Sequence, residues 1–397
     1  MAGAAKKNTG GQATRLLGQL VKIDSVNPFE GKSAGEAEIA EFIRKELDSY
    51  GLDARLQKVR GRRSNAIGVM KGTGKGKSLM LNGHIDTVGV EAMIVDPFGA
   101  SIDSQGRLHG RGASDMKGSL ASMMAAIKTI VDSGTALAGD LIFTGVIDEE
   151  YLSIGTSAVI REYRADAAIV GEPTCLDVGL AHRGYVWAEV ETKGKASHGS
   201  VPEKGLDAIV EMGRLLSELP TLQESYKEIL HPLLGSPKIH ASTIEGGTEW
   251  AVVPESCRLH VERRTLPGES GDVLIEELQE IVAKLSRNHP TFQATVKKFF
   301  EQEPMEVPRS ERVVRSVTSA FKDVTGTRAR FVGVPYWADA ALLANGAKIP
   351  TCLFGPGDIN LAHSADEYIS VDEVELGARI FTRAIEDFCG TTKQPEA

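Results

Sequence analysis

Short, almost wholly apolar runs alternate with amphipathic helical segments along this chain, and that alternation limits its fold more than any other feature. Strands inside a parallel sheet that is covered by helices are apolar along their whole length. The pattern predicts strands at residues 64–70, 78–81, 141–147, 167–170 and 350–354. It predicts helices at residues 13–21, 34–50, 115–131, 153–162, 311–325 and 373–388. We therefore expect an α/β fold, with a mixed, mostly parallel sheet flanked by helices.

The pattern changes after residue 183 to that of a smaller sheet with one covered face. Polar and apolar residues alternate through 185–192, as in a half-buried strand. The predicted elements follow in the order strand, helix, two strands, helix and strand, which is typical of a ferredoxin-like unit. A chain of 397 residues also exceeds the ~250–300 residues at which a single core stops growing. We predict an inserted ferredoxin-like α+β domain at 183–298 and a main domain formed by 1–182 and 299–397.

The charge balance and the cysteines limit the partners and the compartment. The chain has 45 Lys and Arg against 54 Asp and Glu, a net charge of −9, whereas a nucleic-acid binder needs a basic face. No apolar run approaches the ~18–20 residues of a membrane span, and no signal-peptide core follows the N-terminus. The cysteines are far apart in sequence, which favours free thiols in a reducing compartment. We expect a cytoplasmic protein that binds neither nucleic acid nor membrane.

Histidine and acidic residues closely follow several of the predicted strands. In open α/β sheets, ligands bind where the carboxyl ends of the strands meet. A glycine-bounded loop at 110–118 delivers one further acid, Asp115, at the start of a predicted helix. The residues placed in this way are His84, Asp86, Asp115, Glu149, Glu150, Glu172 and His363. Their positions predict one convergent site at this edge of the sheet.

The chemistry of this set is that of a metal site. The candidate ligands are two imidazoles and three carboxylates without a thiolate, namely His84, Asp115, Glu150, Glu172 and His363. Nitrogen and oxygen donors of this kind suit Zn²⁺, with Co²⁺ and Mn²⁺ as alternatives. If one carboxylate bridges, two ions lie about 3.5–4 Å apart, where they acidify a water and polarise a carbonyl. The sequence therefore predicts two divalent metal ions, zinc above all.

Each part of the set also has a simpler interpretation. His84 and Asp86 are two residues apart, so a strand places them on one face, where the carboxylate accepts the ring N–H and orients the ring toward a metal. The same pair is compatible with a strand-end hydrogen bond without metal. Glu149 and Glu150 point apart in an extended chain, one toward a metal and one toward a water, but adjacent acids are often only solvated. Asp115 is compatible with a helix N-cap.

Seven motifs in order give the chain a resemblance to the M20 metallopeptidases, which include acetylornithine deacetylase, succinyl-diaminopimelate desuccinylase, aminoacylase and glutamate carboxypeptidase. The similarity extends from about residue 79 to residue 367. The motifs are GHIDTV at 83–88, GRGASDMKG at 110–118, DEE at 148–150, GEPT at 171–174, ASHGSVP at 196–202, RTLPG at 264–268 and GPGDINLAH at 355–363.

The resemblance implies a role for each residue of the candidate site. Asp115 would bridge the two metal ions, and the other four candidate ligands would complete their coordination. Asp86 would orient a ligand from behind, and Glu149 would be the general base that takes a proton from water and passes it to the leaving amine. His198 of the inserted domain would reach the oxyanion of the other protomer, which implies a homodimer through that domain. Arg264 would bind a substrate carboxylate, although an ion pair with an acid such as Glu262 is an alternative.

These roles predict a two-metal amidohydrolase that removes an acyl group from a small N-acylated amino acid. A carboxypeptidase or dipeptidase of the same family is the first alternative. A non-catalytic binding or scaffold protein is another, and a serine hydrolase through Ser33 in the GKSAG sequence at 31–35 is the last. One departure concerns the substrate, because Ala251, next to Trp250, stands where the family often has Asn.

Overall fold

The computed structural model describes residues 11–30 and 35–392, and it divides the chain into two compact units. The larger unit contains the described residues up to Leu180, then Val307–Val332, and those from Ala338 onward. The smaller unit contains Ala181–Glu306 and Gly333–Trp337. Ser33, which the sequence offered as a possible nucleophile, and the predicted helix start at residue 34 lie outside the described residues.

The helices and strands are given in chain order. The α-helices are α1 (Gln12–Val21), α2 (Ala37–Ser49), α3 (Gly118–Asp132), α4 (Ile154–Glu162), α5 (Ala208–Leu216), α6 (Leu219–Ser225), α7 (Asp272–Asn288), α8 (Arg312–Thr325) and α9 (Val371–Cys389). The first nine strands are β1 (Asp53–Arg60), β2 (Arg63–Met70), β3 (Leu79–His84), β4 (Ser101–Ile102), β5 (Arg107–His109), β6 (Ala136–Leu137), β7 (Leu141–Val146), β8 (Ala167–Val170) and β9 (Val178–His182). The remaining strands are β10 (Gly184–Lys193), β11 (Ser197–His198), β12 (Lys238–Gly246), β13 (Val252–Val253), β14 (Ser256–Thr265), β15 (Ala294–Gln302), β16 (Met305–Glu306), β17 (Phe331–Val334), β18 (Thr351–Leu353), β19 (Tyr368–Ser370) and β20 (Thr391–Thr392).

The larger unit is built on a mixed sheet in the strand order β1-β2-β7-β3-β8-β18-β9. Its central strands β7, β3, β8 and β18 are parallel, and antiparallel strands complete both sides. Strands β3, β7 and β8 are buried along their whole length, as expected from their apolar sequences. Helices α3, α8 and α9 pack on the central strands, and α2 and α4 pack on β1, β2 and β7. The predicted mixed, mostly parallel sheet flanked by helices is confirmed.

The smaller unit contains a four-stranded antiparallel sheet in the order β12-β14-β10-β15. Numbered in chain order within this sheet, the strands lie in the order second, third, first and fourth, which is the arrangement of a ferredoxin-like fold. The alternating burial of β10 reflects the helices α5 and α7 on one face, which enclose a core that includes Val186, Met212 and Leu278. The unit extends beyond the expected 183–298, because β15 continues to Gln302 and β16 then pairs with Ala181 and His182.

Several boundaries differ from the sequence prediction for identifiable reasons. Strand β1 was missed because it is a largely polar and exposed edge strand. The sequence predicts a helix at 206–219 that Pro220 ends, but α5 ends at Leu216. Pro220 lies instead in the first turn of α6, where its missing N–H has no intrahelical partner to lose. The helix predicted from residue 115 begins at Gly118.

Membrane-spanning helices were sought among the residues that the structure describes. None of the helices found there combines the length and the apolar sequence that crossing a bilayer requires.

Candidate metal centre

The carboxyl ends of three neighbouring parallel strands present most of the candidate ligands. His84 is the last residue of β3, Glu150 follows β7, and Glu172 follows β8. A longer loop after β18 leads to His363. Because these strands run in the same direction, their ends meet at one edge of the sheet. The sequence predicted this convergence from the positions of the residues alone.

Asp115 reaches the same place from a loop and not from a helix terminus. Its backbone is extended, with φ −123° and ψ 95°, and its peptide bond to Met116 is cis. Helix α3 begins only at Gly118, so the interpretation of Asp115 as an N-cap is wrong. The loop turns at Gly112, whose φ is +80° and where a Cβ would lie 2.7 Å from Thr87 Cγ2. A glycine is required there because a side chain would meet both backbone strain and a close contact.

Asp115 is shared by two groups of potential ligands. One group is His84, Asp115 and Glu172, and the other is Asp115, Glu150 and His363, with the ligand atoms of each group within 4.8 Å of one another. His84 Nε2 lies 3.0 Å from Asp115 Oδ1, whereas His363 Nε2 lies 3.4 Å from Asp115 Oδ2 and 3.2 Å from Glu150 Oε2. The two oxygens of one carboxylate thus face two different imidazoles. This is the arrangement that a bridging ligand requires.

The electrostatics of the cluster fit a site for cations. Glu172 is buried, and its Oε1 has no hydrogen-bond partner among the described residues. Burial raises the pKa of Glu172 well above its ordinary value, and the negative charge of Asp115 raises it further. Burial also raises the pKa of Glu150. A divalent cation between these groups would supply the missing partner and offset the repulsion between the acids.

The two histidines respond to the same acids. Hydrogen bonds to Asp115 and Glu150 raise the pKa of His363 to about 10. Burial acts to lower the pKa of His84, but the hydrogen bond and the charge of Asp115 outweigh it, so this pKa is well above its usual value. Metal coordination requires the neutral imidazole, so binding a cation here would release protons.

The hydrogen bonds of Asp86 differ from those that the sequence predicted. The ring Nδ1 of His84 lies 2.9 Å from the backbone oxygen of Asp86 and 3.7 Å from its carboxylate. The expected acceptor was the carboxylate, but the backbone carbonyl is the group at hydrogen-bond distance. The carboxylate accepts instead from the backbone N–H of Glu149 at 3.1 Å and of Glu150 at 3.3 Å, and from Asn27 Nδ2 at 2.9 Å. Asp86 therefore fixes the loop that presents both glutamates.

A buried ion-pair network supports this loop from behind. Arg63 donates to Glu36 and, at 2.6 Å, to Asp148, which precedes the two glutamates. Asn27 Nδ2 links Asp148, at 3.1 Å, to Asp86. The sequence predicted no role for Asn27, Glu36, Arg63 or Asp148, because the partners are far apart in the chain and no spacing relates them.

Glu149 lies beside the ligands without belonging to either group of potential ligands among the described residues. Burial raises its pKa well above the ordinary value. His84 opposes this rise, and Glu172 and Asp339 add to it. Asp339, also missed from the sequence, is buried and accepts from Thr156 Oγ1 at 2.6 Å, and burial raises its pKa to about 6. Glu149 is thus a buried carboxylate that neither group of potential ligands uses.

The remaining predicted residues lie in the smaller unit. His198 is exposed, its Nδ1 lies 2.8 Å from Ser200 Oγ, and its backbone pairs with Val252, next to Ala251. Arg264 Nε donates to Glu262 at 2.5 Å, and its guanidinium lies 5.1 Å from the centre of the Tyr185 ring. The ion pair weighed as an alternative for Arg264 is therefore present.

Comparison with known proteins places this geometry among metal-dependent hydrolases. The model of peptidase family M20/M25/M40 matches residues 80–387. An acetylornithine deacetylase from Myxococcus xanthus is 30% identical over 365 residues, which are 89% of this chain and 92% of that protein. The structure of aminopeptidase PepT from Bacillus cereus superposes with a TM-score of 0.78 at 21% identity, covering 95% of this chain and 98% of that one. The Bacillus subtilis YXEP protein, described as a dinuclear metal-binding peptidase, matches with a TM-score of 0.73 at 17% identity, covering 96% and 98%.

Proposed function

The chain belongs to the peptidase family M20/M25/M40, and within this family of hydrolases we propose that it removes the acyl group from a small N-acylated amino acid. The observation that carries the proposal is the shared position of Asp115 between two groups of potential ligands, with Glu149 outside both. The deacylase assignment is supported by the acetylornithine deacetylase that is 30% identical along most of both chains.

We assign His84, Asp115 and Glu172 to one metal ion, and Asp115, Glu150 and His363 to the other. The donor set favours zinc, with cobalt and manganese as alternatives. A likeness to a dinuclear peptidase supports two ions over one. When bound, the ions would acidify a water and polarise the amide carbonyl of the substrate.

Glu149 is the proposed general base. Its carboxylate takes the proton of the attacking water and then delivers it to the nitrogen of the leaving amine, so that the acid and the free amine are released. Asp86 is a positioning residue for this step, because it accepts from the backbone N–H of Glu149. The Asn27 amide and the Arg63 network would hold both residues in place.

The smaller unit supplies the proposed contacts with the substrate. Arg264 would bind the carboxylate of the amino acid. For this contact, the guanidinium of Arg264 must exchange its ion pair with Glu262 for one with the substrate. His198 is exposed, and we propose that it donates to the oxyanion of a second protomer in a homodimer formed through this unit. The free cysteines favour the cytoplasm as the compartment.

A carboxypeptidase or dipeptidase activity is the second candidate. Arg264 suits the free C-terminal carboxylate of a peptide as well as that of an acyl amino acid. Ala251 stands where the family often has Asn, so no polar side chain at this position favours a particular family substrate. Ala251 adjoins Trp250, which is fully exposed.

A substrate panel separates the two candidates. Zinc-reconstituted protein is assayed with N-acetyl amino acids, N-succinyl amino acids and dipeptides, each with and without a chelator. We expect chelator-sensitive hydrolysis with the highest kcat/KM on an N-acyl amino acid. A higher kcat/KM on dipeptides would favour the peptidase, and the absence of hydrolysis from the whole panel would contradict both activities.

A further inference from the structure

A fully buried carboxylate, Glu367, lies directly behind the loop that carries Asp115. Both of its oxygens are used. Oε2 accepts from Arg111 Nη1 at 2.8 Å and from the backbone N–H of Gly112 at 3.0 Å. Oε1 accepts from the backbone N–H of Ser114 at 2.9 Å and of Asp115 at 3.1 Å. One side chain therefore holds three backbone donors of a single short loop.

The conformation of the loop explains why an external acceptor is needed. Gly112 has a positive φ and Asp115 an extended backbone, so regular helical hydrogen bonds do not satisfy the N–H groups of Gly112, Ser114 and Asp115. A buried N–H without a partner is costly. Glu367 provides the acceptor, and the orientation of the loop then depends on the position of that carboxylate.

Glu367 is itself anchored by backbone pairing. Its carbonyl accepts from the N–H of Gly110 at 3.1 Å, and the following strand β19 pairs antiparallel with Arg107–His109. The buried Arg111 balances its charge at 2.8 Å. These contacts fix Glu367 without any contribution from the candidate metal ligands.

We propose that Glu367 is a positioning residue that sets Asp115 for both metal ions, an inference that rests on the proposed metal site. Because Asp115 belongs to both groups of potential ligands, a shift of its loop weakens both. His363 lies four positions before Glu367 in the same segment. That segment thus supplies one ligand directly and controls a second one through hydrogen bonds.

The test is a zinc titration of metal-stripped protein, with Glu367→Gln compared with wild type and with Glu375→Gln. Glu375 is a matched control, because its carboxylate also accepts a backbone N–H and a hydroxyl, both from Thr14, at 2.7 and 2.8 Å. We expect the wild type and Glu375→Gln each to bind two zinc ions, and the zinc affinities of the two proteins to be the same. Glu367→Gln should bind them about 10–100-fold more weakly, as when other supports of metal ligands are removed, with kcat recovering at high zinc.

Thermal unfolding of the metal-stripped proteins separates positioning from a general structural role. If Glu367→Gln lowers Tm but binds zinc as tightly as the wild type, the proposal is overturned. Glu367→Asp keeps the charge but shortens the side chain, and we expect an intermediate zinc affinity; wild-type affinity in both variants would also overturn the proposal. If the wild type itself does not bind two ions, the proposed function fails, and this inference fails with it.

Discussion

Glu149 differs from the adjacent Glu150 because it belongs to neither group of potential ligands among the described residues. If it is the base, its loss should remove proton transfer and leave metal binding intact. We predict that Glu149→Ala lowers kcat by about 10²–10⁴-fold while two zinc ions remain bound, as measured by steady-state kinetics and metal analysis. Glu162→Ala, which removes an exposed glutamate at the end of α4, is the control. Near-normal turnover of Glu149→Ala would refute the assignment of the base.

At the scale of residues, the sequence predicted the candidate metal ligands and the candidate base, and it missed the buried residues that position them. His84 and Glu172 were found because a histidine or an acid after an apolar strand is unusual, and Asp115 was found because a glycine-bounded loop carries it. Glu367 and Asp339 were missed because a buried acid that binds loop N–H groups or a threonine hydroxyl has no sequence pattern. Their partners lie far away along the chain, so only the fold brings them together.

At the scale of elements, the loop of residues 110–118 depends on the glycine at position 112. Gly112 and Gly134 both have a positive φ, but a Cβ would clash only at Gly112, since nothing lies within 4 Å at Gly134. We predict that Gly134→Ala lowers the free energy of unfolding by about 1–2 kcal/mol through backbone strain alone. Gly112→Ala should lower it further and also weaken zinc binding, as measured by urea denaturation and zinc titration. Equal effects of the two substitutions would contradict this account of the loop.

The end of strand β9 carries a buried histidine that should make stability depend on pH. Burial lowers the pKa of His182 to about 4, and its Nε2 has no hydrogen-bond partner among the described residues. In the unfolded chain the imidazole takes up a proton below about pH 6.5, whereas the folded state does not until about pH 4. Its contribution is therefore complete above pH 6.5 and is lost as the pH falls toward 4.

We predict that the free energy of unfolding of the metal-stripped wild type falls by about 2–3 kcal/mol more than that of His182→Phe between pH 7 and pH 4.5. Urea denaturation at several pH values measures the difference. Parallel pH profiles of the two proteins would show that His182 does not contribute.

Most of the completely buried strands were predicted from the sequence, although β9, which is also buried along its whole length, was missed. Strands β3, β7 and β8 were predicted because each begins with a run of apolar residues that is buried in the sheet. Strand β1 was missed because its sequence is largely polar and exposed. Strand β17 was missed although its sequence is apolar. The start of α3 was misplaced because Asp115 resembles an N-cap in sequence but serves the loop.

At the scale of the whole molecule, the alternation of buried strands and helices was enough to predict the mixed sheet and the edge at which the site lies. The boundaries of the smaller unit were less accessible, because its last short strand and the segment Gly333–Trp337 have no distinctive composition. The proposed activity of the molecule depends on the proposed pair of metal ions, from which the proposed roles of Glu149 and Glu367 follow.

Anomalous diffraction above the zinc edge, from crystals grown with zinc, tests that pair most directly. The account predicts two zinc peaks about 3.5–4 Å apart, both coordinated by Asp115, with His84 and Glu172 at one and Glu150 and His363 at the other. A single peak, or zinc bound away from Asp115, would contradict it.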